Sequence, residues 1–286
     1  MPELPEVEVL CRRLDERLSG RRIEAVQLAS FSALKTYDPP LSSLESRAVA
    51  GVGRRGKWVC VDTGGEWLVV HLAKSGWVRW RDRMPPAAPR PGRGPLALRV
   101  RMEGGGGFEL TEMATEKRLA LYVVSSPDEV DQIATLGPDP LTGDLPRERL
   151  GALLAGEKGD LKHALSRQSL LAGVGNAYSD EVLHAARLSP FKPAAKLSPD
   201  ELGRLHEALT GVLAGAVERA AELDLDQLKD HKRAGMAVHG RTGEACPVCG
   251  EAVREVAYAS RSLQYCPTCQ TGGTPLADRR LSRLLK

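Results

Sequence analysis

Aromatic residues are scarce in this chain: three Phe, five Tyr and four Trp make up 4% of its 286 residues. Hydrophobic content is 42%, enough for real cores, which must then be mainly aliphatic. No apolar run approaches the roughly 20 residues a bilayer span requires, and the N-terminus has no signal-peptide apolar stretch. The chain therefore reads as soluble and intracellular, with no membrane partner. Cysteines number only six, four of them in two C-x-x-C pairs and two isolated, Cys11 and Cys60. In an intracellular protein that pattern favours a metal over a disulfide framework. Neither sign of charge dominates: the net charge of +3 and pI near 8.5 permit a nucleic-acid partner without requiring one.

The N-terminus carries the first chemical signal, Met1-Pro2-Glu3-Leu4-Pro5-Glu6-Val7-Glu8. A small residue at position 2 predicts removal of Met1, leaving a free secondary amine on Pro2 beside the Glu3 carboxylate. A terminal α-amine titrates near 8, against about 10.4 for lysine, so far more of it is nucleophilic at neutral pH. Pro5 suits the first turn of a helix, Glu6 and Glu8 suit its positive end, and Val7, Leu10, Leu14 and Leu18 recur at helical spacing, with Gly20 as the stop. The unremarkable alternative is that this is one of many terminal prolines without a role.

Residues 23 to 124 read mainly as short strands: 23–26, 58–61, 67–72, 96–102 and 119–124, separated by glycine-rich turns. Such spacing predicts an antiparallel sandwich or barrel. Residues 84–95 form a Pro/Gly/Arg-rich loop. Prolines and Gly137 near 125–140 mark a boundary, and 145–230 reads as helical. Ser198-Pro199-Asp200-Glu201 is a capping box opening a helix with Leu202, Leu205, Leu209, Val212, Leu213 and Val217 on one face. Length predicts two domains and a small third module: an N-terminal β-sandwich over 1–126, a linker over 127–144, a helical domain over 145–235, a zinc hairpin over 236–272 and a tail over 273–286.

Gly173-Val174-Gly175-Asn176 interrupts the helical pattern. Its glycines allow a tight turn, and Asn176 is an N-cap candidate for a helix whose free amides suit a phosphate. An ordinary helix corner is the alternative. Near the C-terminus, Cys246-x-x-Cys249 and Cys266-x-x-Cys269 enclose sixteen residues, the spacing of a closed tetrahedral zinc site; a redox pair is the alternative. The span between them, 253–265, predicts a hairpin that needs its metal to fold. From Leu228 onward there are ten Lys/Arg against five Asp/Glu, an excess of five where the whole chain carries +3. Such polarity suits a phosphate-facing module.

The terminal PELPEVE, the Gly-x-Gly-Asn turn and the four-cysteine ribbon, in that order, resemble the Fpg/Nei family of DNA glycosylases, nearer its Fpg branch. The resemblance implies an α+β multidomain fold: a helix and antiparallel β-sandwich, a helix–two-turn–helix domain and a zinc ribbon holding one structural Zn2+. It implies a bifunctional glycosylase/AP lyase of base-excision repair, acting through a Schiff base on Pro2 and β,δ-elimination. By the same resemblance Glu3 is the acid/base group, Lys57 of Arg54-Arg55-Gly56-Lys57 a phosphate contact and catalytic helper, and Glu6 a neighbour of the site. His71, Lys74, Gly173, Gly175, Asn176 and Arg261 take DNA-binding positions, and Cys246, Cys249, Cys266 and Cys269 hold the metal. The implied partner is damaged double-stranded DNA, the implied state a monomer, and the implied location the bacterial cytoplasm at the nucleoid.

Three departures separate the chain from the oxidised-guanine branch. Lys74 stands where that branch has a methionine, Glu116 to Ala120 lacks its aromatic wedge, and the 223–240 segment is short. These departures leave a second reading, a non-catalytic or weakly catalytic damaged-DNA-binding paralogue. A zinc-ribbon transcription factor would account only for the last quarter of the chain.

Overall fold

The fold was analysed in a computed structural model, which describes residues 1–85, 87–92, 94–231, 235–258 and 262–277. The chain divides into two compact units, residues 1–136 with 219–230, and residues 137–218 with 231–286.

Unit 1 begins with α1 (Leu4–Leu18), whose Leu4, Val7, Leu10, Leu14 and Leu18 are all but fully buried. Each such side chain contributes about 2 kcal/mol relative to exposure. Glu3 is the N-cap, and the Glu3 amide donates to Glu6 Oε2 at 2.8 Å within a reciprocal capping box, so the helix starts one residue before the Pro5 that marks its first turn. Ser19 closes it, followed by Gly20 in the left-handed region at φ +79°.

Eight strands follow: β1 (Ile23–Leu28), β2 (Gly51–Arg55), β3 (Trp58–Asp62), β4 (Trp67–His71), β5 (Gly76–Arg81), β6 (Leu96–Met102), β7 (Gly107–Glu112) and β8 (Ala120–Val124). They form two four-stranded sheets, β1-β6-β7-β5 and β2-β3-β4-β8, and every pairing is antiparallel. The strands expected at 23, 58, 67, 96 and 119 are present; β2, β5 and β7 were not foreseen. All three begin with glycine, which weakens any β signal in sequence, and β5 also alternates arginine with tryptophan. A short helix, α2 (Asp131–Ala134), closes the strand region and packs Ile133 against Trp58, Cys60, Val69 and Val124.

Unit 2 holds α3 (Arg147–Ala155), α4 (Leu161–Ser166), α5 (Asn176–Ala185) and most of α6 (Pro199–Ala221). Ser198 and Glu201 exchange hydrogen bonds of 2.8 and 3.2 Å at the start of α6, the reciprocal box its sequence predicts. The core is aliphatic: Leu150, Leu161, Leu165, Leu171, Val182, Leu205, Leu209 and Leu213 are fully buried together. Another short helix, α7 (Leu228–His231), ends the long helical stretch, its first three residues belonging to unit 1. Beyond it β9 (Arg254–Ala257) and β10 (Ser262–Tyr265) make a two-stranded hairpin, followed by α8 (Pro267–Thr271). No helix among the described residues is long and apolar enough to cross a membrane.

Candidate DNA-repair site and metal centre

Three contacts fix how α1 lies on the β2–β3 hairpin. Asp15 Oδ1 accepts from the Val52 amide at 2.8 Å, the Cys11 thiol donates to Gly53 O at 3.1 Å, and Arg54 Nε donates to Glu8 Oε2 at 2.6 Å. Descending α1 toward its N-terminus therefore means climbing β2 toward its turn. This order points Pro2 and Glu3 to the end of the sheet where Gly56 and Lys57 join β2 to β3. The loop has two residues, and Gly56 at φ +54° supplies the left-handed position that such a hairpin needs at its first site.

That end of unit 1 concentrates buried charge. Glu3, Glu6 and Lys57 are 3%, 5% and 7% exposed. Two carboxylates at the mouth of α1 sit where the helix dipole and free amides favour negative charge. The Arg54–Glu8 pair anchors the hairpin to the helix, with the arginine side chain 6% exposed. His71 lies across the β3–β4 ladder from Trp58, its ring 4.6 Å from the indole. Burial, and then the Lys57 charge, lower the His71 pKa to about 4, so the ring is neutral at physiological pH. Lys57 and His71 are thus brought together, and Lys74, beyond β4, is exposed.

Leu119 is buried at 2% exposure against the Gly76 backbone, and the Glu112 carboxylate accepts from the amides of Arg118 and Leu119 at 2.9 and 3.1 Å. In that loop the large apolar group facing solvent is Met113, 63% exposed.

In unit 2 the glycine turn is held by a residue that sequence reasoning left without a role. Gln168 accepts from the Gly173 amide at 3.0 Å through Oε1 and donates to Val174 O at 2.6 Å through Nε2. Gly173 is left-handed at φ +85°, whereas Gly175 is extended and serves as the N-cap. Asn176, expected to be that cap, is instead the first helical residue, and its Nδ2 donates to Ser262 O of β10 at 2.8 Å. The glycine satisfies the cap geometry and frees the amide side chain to cross to the hairpin. Beside it opens a cavity of about 300 Å³ lined by Lys162, His163, Phe191, Tyr258 and Ser262 among others. Arg261 lies outside the described residues.

Sequence reasoning also missed a buried polar cluster. Lys162 Nζ donates to Asn176 O at 2.6 Å, Ser179 Oγ at 2.8 Å and Asp180 Oδ1 at 2.6 Å, while Asp180 Oδ2 pairs with His239 Nδ1 at 2.7 Å. The available signal was α5 itself: Ala177, Tyr178, Val182 and Leu183 spread around it and leave no polar face, so the charges of Asp180 and Glu181 must be paired.

The four sulfurs of Cys246, Cys249, Cys266 and Cys269 lie within 4.8 Å of one another, with Cys246–Cys269 at 3.9 Å and Cys249–Cys266 at 3.3 Å. Zinc–sulfur bonds of about 2.3 Å in a tetrahedron put the sulfurs roughly 3.8 Å apart, so the set fits one structural zinc and leaves no place for a reacting water. The thiols disagree without a cation: the Glu251 amide lowers the pKa of Cys249, and burial raises that of Cys269. A metal lets all four ionise together.

These features coincide with what the chain resembles. Residues 1–118 match the formamidopyrimidine-DNA glycosylase N-terminal domain, 136–225 the H2TH domain of the same enzymes, and 243–272 the zinc finger found in FPG and IleRS. A formamidopyrimidine-DNA glycosylase of Symbiobacterium thermophilum is 35% identical over 289 residues, covering 98% of this chain and 93% of its own. A formamidopyrimidine-DNA glycosylase-like protein of Mycobacterium tuberculosis is 55% identical over 155 residues, 54% of this chain and 97% of its own. Lactococcus lactis FPG in complex with FAPY-dG-containing DNA superposes with a TM-score of 0.82 at 25% identity, over 94% of this chain and 100% of that one. The chain belongs to the formamidopyrimidine-DNA glycosylase family.

Proposed function

We propose that this protein is a DNA glycosylase of base-excision repair that also cuts the strand, using the amine of Pro2 once Met1 is removed. The amine attacks C1′ of the damaged nucleotide as the C1′–N bond breaks, and the base leaves with a proton. The resulting iminium acidifies the C2′ hydrogen, and β- then δ-elimination expel the 3′ and 5′ phosphates. Glu3 carries the proton of sugar ring opening, and Glu6 holds Glu3 by its amide. Lys57 contacts phosphate and assists, and His71, Lys74, Gly173, Gly175, Asn176 and Arg261 hold the backbone while the base is out of the stack. Zinc shapes the hairpin and takes no part in the chemistry.

The observation that carries this reading is the burial of Glu3 at the mouth of α1, beside Pro2 and on the hairpin end that also buries Lys57. Glu3 caps α1 through the Glu6 box and at the same time sets its carboxylate one residue from an amine of a class that titrates near 8. Damaged double-stranded DNA as partner is supported by the Lactococcus lactis complexes with FAPY-dG and abasic-site DNA. The finer reading is a monomer in the bacterial cytoplasm, at the nucleoid, with 1–126 as catalytic domain, 145–235 as DNA-binding domain and 236–272 as zinc hairpin. Exposed Lys74 and buried Leu119 favour a lesion range different from that of the oxidised-guanine enzymes. In the extreme they favour a damage-binding protein with weak catalysis.

Borohydride trapping decides between these. The Met1-free protein is mixed with duplexes holding an abasic site, 8-oxoguanine or an oxidised pyrimidine, beside a Pro2→Gly variant. A trapped adduct on abasic DNA that disappears in the variant is expected. Tight, salt-sensitive binding without any adduct would replace the enzyme with the binder.

A further inference from the structure

Every residue of α5 from Ala177 to His184 is buried, so each polar side chain on it must find a partner. Three of them, Asp180, Glu181 and His184, find theirs in the segment that leads into the first cysteine knuckle. Asp180 pairs with His239 at 2.7 Å. The Glu181 carboxylate accepts from the amides of Ala237, Val238 and His239 at 2.7, 2.9 and 2.8 Å. His184 places Nε2 3.2 Å from Cys246 Sγ, both residues being at most 5% exposed. At the opposite end of the helix, Asn176 holds β10 through Ser262 O at 2.8 Å. The zinc module is thus fastened along the length of α5.

A metal-bound cysteine sulfur has given up its proton, so across the His184–Cys246 contact only the imidazole has a hydrogen to offer. We propose that His184 is a positioning residue of the zinc centre, donating its Nε2–H to the Cys246 thiolate and joining that centre to the helix that opens at Asn176. It is not a fifth ligand, because four sulfurs already complete the tetrahedron. The hydrogen bond draws charge from the sulfur, making it a weaker nucleophile, and it satisfies a buried anion that would otherwise keep only its bond to the metal. Partners of this kind change metal affinity by about 10–100-fold.

The test uses the full-length, zinc-loaded protein with two variants: His184→Phe keeps a ring and removes the donor, and His184→Gln sets an amide nitrogen near the place of Nε2. Zinc transfer to an excess of a chromogenic chelator is followed in time. His184→Phe is expected to release zinc at least about tenfold faster than wild type, with His184→Gln close to wild type. In the cobalt-substituted proteins His184→Phe should move the sulfur-to-cobalt charge-transfer band to lower energy and leave the four-sulfur d–d pattern intact. Equal release from wild type and His184→Phe would overturn the proposal. So would a His184→Gln variant as leaky as the phenylalanine, which would reduce the role to packing, or a three-sulfur, one-nitrogen cobalt spectrum in wild type. Should His184→Phe not fold, 15N NMR of histidine-labelled wild type decides: a proton on Nε2 is required, and a bare Nε2 refutes it.

Discussion

The His71 imidazole lies 4.6 Å from the Trp58 indole, tilted by 44°, directly across the β3–β4 ladder and one residue from the Lys57 turn. Burial first, and the lysine charge second, depress its pKa to about 4. The fold therefore holds the neutral ring, while the unfolded chain takes up a proton near 6.5. Stability from this group is complete above pH 6.5 and is lost as pH falls through the window down to about 4. The four tryptophans, at 58, 67, 77 and 80, all belong to unit 1, so their fluorescence in urea reports its unfolding. Between pH 7 and pH 4 the His71 contribution should decline by roughly 3 kcal/mol, and His71→Gln should remove most of that decline. An unchanged slope in the variant would assign it to other groups.

Lys162 and Asp180 form an ion pair whose side chains are 10% and 0% exposed. Lys162→Met leaves a buried carboxylate with the His239 ring as its remaining side-chain partner outside α5, a loss of about 3 kcal/mol. The double variant Lys162→Met/Asp180→Asn should recover part of it. Thermal melts of the three proteins make the comparison, and a single variant as stable as wild type would show that the pair contributes nothing.

Removing zinc should expose cysteines selectively. Cys11 is pushed up by burial, and Cys60 is raised to about 12 by burial, so neither is a thiolate near pH 8. With zinc bound, iodoacetamide is expected to label none of the six. After chelation it should label the four knuckle cysteines and still spare Cys11 and Cys60, as read by peptide mass spectrometry. Labelling of Cys11 or Cys60 alongside them would mean that chelation also opens unit 1.

Gly76 begins β5 where a Cβ would stand 2.2 Å from Leu72 O and 3.1 Å from Leu119 Cδ1. Because the closer atom is backbone, Gly76→Ala should cost about 2–3 kcal/mol and disturb both Lys74 and Leu119. Gly53→Ala, whose Cβ meets nothing within 4 Å, is the control. Urea midpoints of the two variants settle the matter, and equal midpoints would contradict the packing described.

Local periodicity and spacing carried much of this protein. The heptad-like leucines of α1, the Ser198–Glu201 box and the paired C-x-x-C knuckles each reflect short-range rules, and the structure contains all three. The Gly173 turn was visible because only glycine adopts its φ readily. Cap identity at Gly175 was not, since asparagine is the better cap locally and yields here to a long-range bond with Ser262.

What the sequence alone determined is therefore α1, five of the eight strands of unit 1, the start of α6, the metal ligands and the residue types able to do amine chemistry. Tertiary structure decided the rest: that α1 and the β2–β3 hairpin point Glu3 and Lys57 to one end, and that His71 is neutral. It also decided that Asp180, Glu181 and His184 face the zinc module. Periodicity follows from covalent geometry over a few residues, but the partner of a buried charge is chosen by packing between segments far apart in the chain. A sequence can demand that such a partner exist; only the fold says which one it is.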